Sequence, residues 1–247
     1  MKISYEDMLK LKRWNTPTIY NGWEIISEND RSGNYFNREE TRDFMPAQGP
    51  MVGQAVTVSC EPSNRSHSFR EGVWKEYYTW VASQDGPKIV VVQDLDKPNF
   101  IGAFWGEVNS NIHRALGCVG TITDGAVRDV DEMMNAGFKA LASRMCVGHA
   151  WSVPVSWGET VSVFGCPVST GDLIHADKHG FLIIPEEDQS RLLESVIFMD
   201  NNECNTVIPA ARGKAGRSIE EILSDITKAS KEFGTAAKNF AGKKGEW

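Results

Sequence analysis

The spacing of apolar positions divides the chain into a helical start, an alternating middle and a helical end. Tyr5 to Trp14 carries Met8, Leu9 and Leu11 at helical spacing, and Thr16–Pro17 reads as an N-cap followed by proline at the first position of a second helix. Asp30 to Gly49 is polar, rich in turn formers and expected to be loop. Met51 to Cys60 (MVGQAVTVSC) alternates like a strand, Phe69 to Ala82 predicts an aromatic-rich helix, and Lys88 to Gln93 (KIVVVQ) suits a buried strand. Next come a helix over Trp105 to Leu116 with Val108, Ile112 and Leu116 as its apolar stripe, a strand over Cys118 to Ile122 that turns at Asp124–Gly125, and a helix over Asp129 to Ala136. Phe138 to Ala142 and Glu159 to Phe164 predict strands, and Asp172 to Ile184 a hairpin turning over Asp177 to Gly180. From Glu186 onward the pattern is helical and charged, ending in a loose tail over Lys238 to Trp247. Strands alternating with helices, followed by a β-rich stretch, predict an α/β core with a mixed central sheet. No repeat or low-complexity linker interrupts it, so residues 1–247 are expected to form one domain.

Composition narrows the functional classes. The chain is 41% hydrophobic and 24% charged, ordinary for a globular protein, and its formal net charge is -7. Binding to nucleic acid needs a concentrated basic face, and the densest basic runs, Lys10 to Arg13 and Lys243–Lys244, are short. Met1 to Arg13 lacks the apolar core of a signal peptide, and no stretch is long enough to span a bilayer. Five scattered cysteines without a Cys-x-x-Cys pair predict reduced thiols and a cytoplasmic location.

Chemistry concentrates in Gly106 to Glu132 (GEVNSNIHRALGCVGTITDGAVRDVDE), where two helix starts flank a strand. Free N–H groups around Glu107 to Ser110 can hold a carboxylate or phosphate without a basic side chain. The strand delivers Arg128, a rigid donor fork suited to a carboxylate or enolate oxygen, and Asp129, a hard oxygen donor suited to magnesium or manganese. Spacing alone leaves a second reading open: Asp129-x-x-Glu132 also has the form of a capping box, in which Asp129 only caps a helix. Glu107 equally suits the dipole of its own helix.

The stretch GCVGTITDGAVRD (Gly117 to Asp129) resembles the GxxGxxxDGxxRD signature of the RraA-like family, which includes the regulator of ribonuclease E activity A and the 4-hydroxy-4-methyl-2-oxoglutarate aldolases. MVGQAVTVSC, KIVVVQD, WGE and GDLIHADKHGFLIIP extend the resemblance over roughly residues 15–190, leaving 191–247 as a helical C-terminal extension. The resemblance implies an α/β/α swivelling fold with a mixed central sheet and helical extensions at both ends. It further implies a class II pyruvate aldolase, cleaving a 4-hydroxy-2-keto acid to pyruvate and a carbonyl product and able to decarboxylate oxaloacetate. By the same resemblance Asp129 binds a divalent metal (Mg2+ or Mn2+) directly, Glu107 contacts it through water, and Arg128 holds the keto or enolate oxygen. The amides of Val108 and Asn109 hold the substrate carboxylate, and a homotrimer or homohexamer places sites between subunits, with Glu194 and Glu203 as candidates for a neighbour's acid. This chain departs from the aldolases in carrying Glu107 where they have Asp, and Val108–Asn109 where Leu-Leu is common.

The family's other branch supplies a competing expectation, a non-catalytic protein that inhibits an endoribonuclease by contact. Other candidates read more plainly. His67 and Arg70 (NRSHSFREG) border the site in compact relatives and could reach an acidic substrate. His149 and Trp151 lie in a Gly/Ser/Pro-rich loop that could line a pocket, although a loop histidine is more often a surface hydrogen-bonder. His175 and His179 lack metal-ligand spacing. Lys139 is the one tempting Schiff-base lysine. There is no G-x-S-x-G elbow for a hydrolase, and no glycine-rich cofactor loop for a methyltransferase.

Overall fold

Alternation through the middle of the chain becomes a mixed sheet with apolar residues on both faces. The computed structural model describes residues 2–212 and 216–242; Lys243 to Trp247, and so part of the expected loose tail, lie outside them. In chain order the elements are α1 (Tyr5–Leu11), α2 (Thr16–Ile26), β1 (Arg42–Asp43), β2 (Met51–Cys60), α3 (Val73–Ser83), β3 (Lys88–Asp94), β4 (Ala103–Trp105), α4 (Glu107–Ala115), β5 (Cys118–Val127), α5 (Val130–Asn135) and β6 (Lys139–Met145). There follow β7 (Pro154–Trp157), β8 (Val161–Val163), β9 (Cys166–Val168), β10 (Leu173–Asp177), β11 (Gly180–Ile184), α6 (Glu186–Asn205), α7 (Val207–Arg212) and α8 (Ile219–Ala241). The sheet runs β1-β6-β5-β3-β2-β10-β11, with β4 also paired to β5 and β7 to β2. The β6-β5-β3-β2 centre is parallel, and β1, β7 and β10–β11 join antiparallel. This is the expected α/β class with a mixed sheet.

Val56, Val58, Val90 and Val92 point to one face, where Tyr77, Trp105, Met133 and Phe138 cover them. Ala55, Ile89, Val91 and Ile122 point to the other and pack on Val163, Phe164, Ile174 and Phe181. This is the period-two pattern of strands buried on both sides. The terminal helices share one cluster, with Leu11, Ile19 and Trp23 against Leu192 and Val196. Gly22 lets α2 and α6 approach closely, since a Cβ there would lie 2.5 Å from Cγ2 of Val196. Ile25, Ile26 and Met199 then seat Phe233 and Phe240 of α8.

Several boundaries differ from expectation. Asn15, not Thr16, caps α2, accepting the Thr18 N–H at 2.9 Å; the Thr16 N–H is instead taken by Asp177. Trp105 belongs to β4 rather than to the following helix. The helix α4 buries Ser110 and His113, whereas Val108 is 71% exposed; of the Val108–Ile112–Leu116 stripe, Leu116 packs against the core. Lys139 is buried, but it pairs with Asp43 at 2.6 Å and donates to the Met45 carbonyl, a structural role that replaces the Schiff-base reading.

Asp124–Gly125 is not a turn. β5 passes through it with a shift of register against β6 between Thr123 and Ala126, and continues to Val127. Glycine is required here because a Cβ on Gly125 would lie 2.7 Å from Oδ2 of Asp94. The Asp94 N–H donates to Asp124 Oδ1 at 2.9 Å, and Lys97 lies 3.8 Å from the other Asp124 oxygen while also pairing with Glu39. Burial, followed by mutual repulsion with Asp96 and Asp124, pushes the Asp94 carboxyl up to about 7; burial pushes Asp124 up to about 6. Both lie above the unperturbed 3.8, so the native state binds more protons than the unfolded chain between those values. The contribution of this pair to stability is therefore predicted to fall as pH rises from about 4 to 7, against the opposite contribution of the buried His113 and His175, whose pKa values are pulled down to about 4. Denaturant titrations across that range should show the stability of Asp94→Asn rising relative to the parent as pH increases; a difference that does not change with pH would contradict the assignment.

Candidate active site

β4 and β5 run in parallel with Trp105 opposite Val127, so the residues that leave the two strand ends emerge side by side. Gly106–Glu107 and Arg128–Asp129 are thereby brought together at carboxyl ends of strands, the usual place for ligands in such sheets. The Arg128 N–H donates to the Trp105 carbonyl at 3.2 Å, fastening the two segments.

Asp129 has φ 52° and ψ 45°, in the left-handed region, and its side chain caps nothing in α5. The capping-box reading is thus corrected. The carboxylate turns away from its own helix, and Oδ2 accepts the backbone N–H of Glu107 at 3.1 Å. A non-glycine residue held in this conformation costs on the order of 1 kcal/mol, tolerated best by Asn and Asp. Nε of Arg128 lies 3.6 Å from the same Oδ2, and both side chains are about one-third exposed. Gly106 makes this closure possible: a Cβ there would lie 2.7 Å from Asp129 Oδ2 and 3.2 Å from Arg128 Nε.

In α4 the N–H groups of Val108 and Asn109 find no acceptor among the described residues. Unlike these amides, the Asn109 side chain is fully engaged, accepting from Tyr78 at 3.1 Å and donating to the Phe104 carbonyl at 2.9 Å. Beneath it, His113 is buried between Tyr77 Oη, 3.0 Å from Nε2, and the Asn109 carbonyl, 2.8 Å from Nδ1. Burial pulls its pKa down to about 4, so the ring is neutral and holds the first turn in place.

These groups line a cleft of about 430 Å³ whose walls include Trp74, Tyr78, Phe104, Glu107, Val108, Asn109, Arg128, Asp129, His149 and Ser152. The His149 loop is pinned above the cleft by the Ala103 N–H donating to the Gly148 carbonyl at 3.0 Å. A Cβ on Gly102 would meet the His149 carbonyl at 2.5 Å, so glycine is needed there too. His67 and Arg70 do not line this cleft: His67 pairs with Glu61 at 2.6 Å, and Arg70 with Glu76. Glu194 is exposed on α6, and Glu203 accepts from Asn21 at 2.9 Å. His175 is buried against Thr16, and His179 pairs with Asp177. Sequence reasoning gave no role to Gly106, Trp74 or Tyr78; only Gly106, the first residue of the Gly106 to Glu132 segment, carried a signal.

Among the described residues no group of three or more His, Cys, Asp or Glu is placed to hold a metal. The carboxylates of the cleft are Asp129 and Glu107, with His149 also in its lining, and one or two carboxylates suit magnesium, which commonly keeps its waters. Gly106→Ala is predicted to fold normally, because the new methyl meets only side-chain ends, while exchange of the Glu107 amide hydrogen accelerates about tenfold or more as Asp129 is displaced. An unchanged exchange rate would show that the contact is not needed.

No helix among the described residues is long and apolar enough to cross a membrane. An uncharacterized protein of Methanocaldococcus jannaschii is 28% identical over 111 residues, covering 44% of this chain and 52% of that protein. A Halalkalibacterium halodurans protein called "Putative 4-hydroxy-4-methyl-2-oxoglutarate aldolase" is 28% identical over 116 residues, covering 44% and 51%. The chain thus spans about half the length of these relatives. In fold it is similar to Streptomyces coelicolor RraAS2, described as an unusual member of the RNase ES inhibitor RraA protein family, with TM-score 0.64 and 18% identity over 87% of this chain and 99% of that one. The family model described as RraA-like, Aldolase/RraA, matches residues 24–183, and the chain belongs to that family.

Proposed function

We propose that this protein is a divalent-metal-dependent carbon–carbon lyase of the pyruvate aldolase type. It would cleave a 4-hydroxy-2-keto acid to pyruvate and a carbonyl product, and decarboxylate oxaloacetate as a second reaction. The observation that carries this reading is the left-handed backbone of Asp129, which aims its carboxylate at the start of α4 rather than at its own helix. An inhibitor acting by surface contact has no need for that strained arrangement beside an arginine.

Asp129 would hold Mg2+ or Mn2+ with Glu107 close by, and the bound ion supplies Lewis-acid stabilisation of the enolate oxygen. The free N–H groups of Val108 and Asn109 take the substrate carboxylate at the positive end of α4. Arg128 donates to the C2 oxygen, on which negative charge appears only as the C3–C4 bond breaks, so its contribution grows toward the transition state. Glu107 accepts the proton of the C4 hydroxyl, directly or across one water. Electrons of the broken bond pass through C3 to the C2 oxygen, and protonation at C3 then yields pyruvate. Carbon dioxide loss from oxaloacetate leaves the same enolate, so the same groups serve it. The reading includes a homotrimer or homohexamer in the cytoplasm, supported by the family resemblance and by five thiols free of disulfides.

Pyruvate release from 4-hydroxy-4-methyl-2-oxoglutarate or oxaloacetate, followed with magnesium and then with a chelator, tests the proposal. Asp129→Asn keeps the size of the side chain and the tolerance for a left-handed backbone, and is expected to fold while losing at least ~100-fold in turnover. Full activity in that variant would contradict the role of Asp129. A wild-type protein that turns over no keto acid but binds an endoribonuclease tightly would establish the regulator reading instead.

A further inference from the structure

We infer that the half of the substrate beyond the keto acid is a planar apolar group, recognised by Trp74 and Tyr78; the keto-acid end of this inference rests on the lyase reading. Arg128 and the α4 amides serve that end, and among the described residues Arg128 is the only lysine or arginine lining the cleft. The wall beyond them is aromatic. The Trp74 ring packs on Tyr78, 5.2 Å away between centroids at 32°, and on Phe104, 5.6 Å away at 32°. Both Trp74 and Tyr78 are only half-buried, which leaves ring surface to meet a ligand.

Tyr78 is fixed for this task. Its hydroxyl donates to Asn109, whose other end is held by the Phe104 carbonyl, so the polar tip is satisfied and the ring is what it presents. The same Asn109 carries one of the amides assigned to the carboxylate, which couples the two ends of the cleft through one residue. A second carboxylate would stay underpaired there, because Arg128 is the only lysine or arginine among the described lining residues. A dicarboxylic substrate would bring its second charge to the aromatic wall, whereas a phenyl or similar ring would stack there.

The test compares two unreactive ligands by calorimetry with Mg2+ present: 4-phenyl-2-oxobutanoate and 2-oxoglutarate. The phenyl compound is expected to bind about tenfold tighter or more, the scale of one well-formed aromatic pair. Trp74→Arg should reverse the order, since the guanidinium would face the second carboxylate. Should that variant not fold, Trp74→Leu serves, and is expected to lose the preference without favouring 2-oxoglutarate. Equal or tighter binding of 2-oxoglutarate by the parent, or a preference that survives substitution of Trp74, overturns the inference. Turnover is read separately: absence of pyruvate from 4-hydroxy-4-phenyl-2-oxobutanoate, with the binding preference intact, would defeat the lyase reading and leave the aromatic subsite standing.

Discussion

The site depends on one strand pairing, β4 against β5 in parallel with Trp105 opposite Val127. That register decides which residues leave the sheet together, and it brings Glu107 to Asp129 across a separation of 22 positions. Shifting it by one residue would turn every side chain on β4 to the other face and separate the two segments. Gly106 then allows contact at a distance no side chain could accept, and the left-handed backbone of Asp129 directs its carboxylate into the gap. The left-handed backbone carries a cost that makes sense at a binding site.

The rest of the molecule holds that pairing still. β5 reaches Val127 only by passing the irregularity at Asp124–Gly125, which Asp94 supports from β3. On the helical side, the neutral His113 and Tyr77 lock the first turn of α4 from below, and Trp105 packs on His113 at 4.7 Å. The site therefore stands on a parallel sheet whose strands are buried on both faces, an arrangement that resists local distortion. The terminal helices pack on each other at the far side through Trp23, Leu192 and Val196, and take no part in lining the cleft.

Strands and helices in the middle of the chain were legible because buried strands repeat with period two and the glycine-rich segment carries a recognisable spacing. The α4 stripe misled because Val108, Ile112 and Leu116 have helical spacing, while the buried positions are Ser110 and His113, two polar residues with partners. The capping box misled for a related reason. A sequence reports that Asp129 precedes a helix by the right interval, but not the sign of its φ angle. The aromatic wall was invisible, since Trp74 and Tyr78 lie on a helix distant in sequence and meet Phe104 only in the folded chain. His67 and Arg70 were suggested by resemblance and lie in local contacts with Glu61 and Glu76, outside the lining of the cleft.

The central claim is that one cleft, built by Glu107, Arg128, Asp129 and the α4 amides, binds a keto acid as its enolate forms. Oxalate has the shape and charge of pyruvate enolate, and calorimetric titration with it examines that claim without any turnover. The account predicts binding that requires Mg2+, disappears with chelator and weakens at least about tenfold in Arg128→Ala, the scale of a lost charged hydrogen bond. Oxalate binding indifferent to both the ion and Arg128 would contradict it.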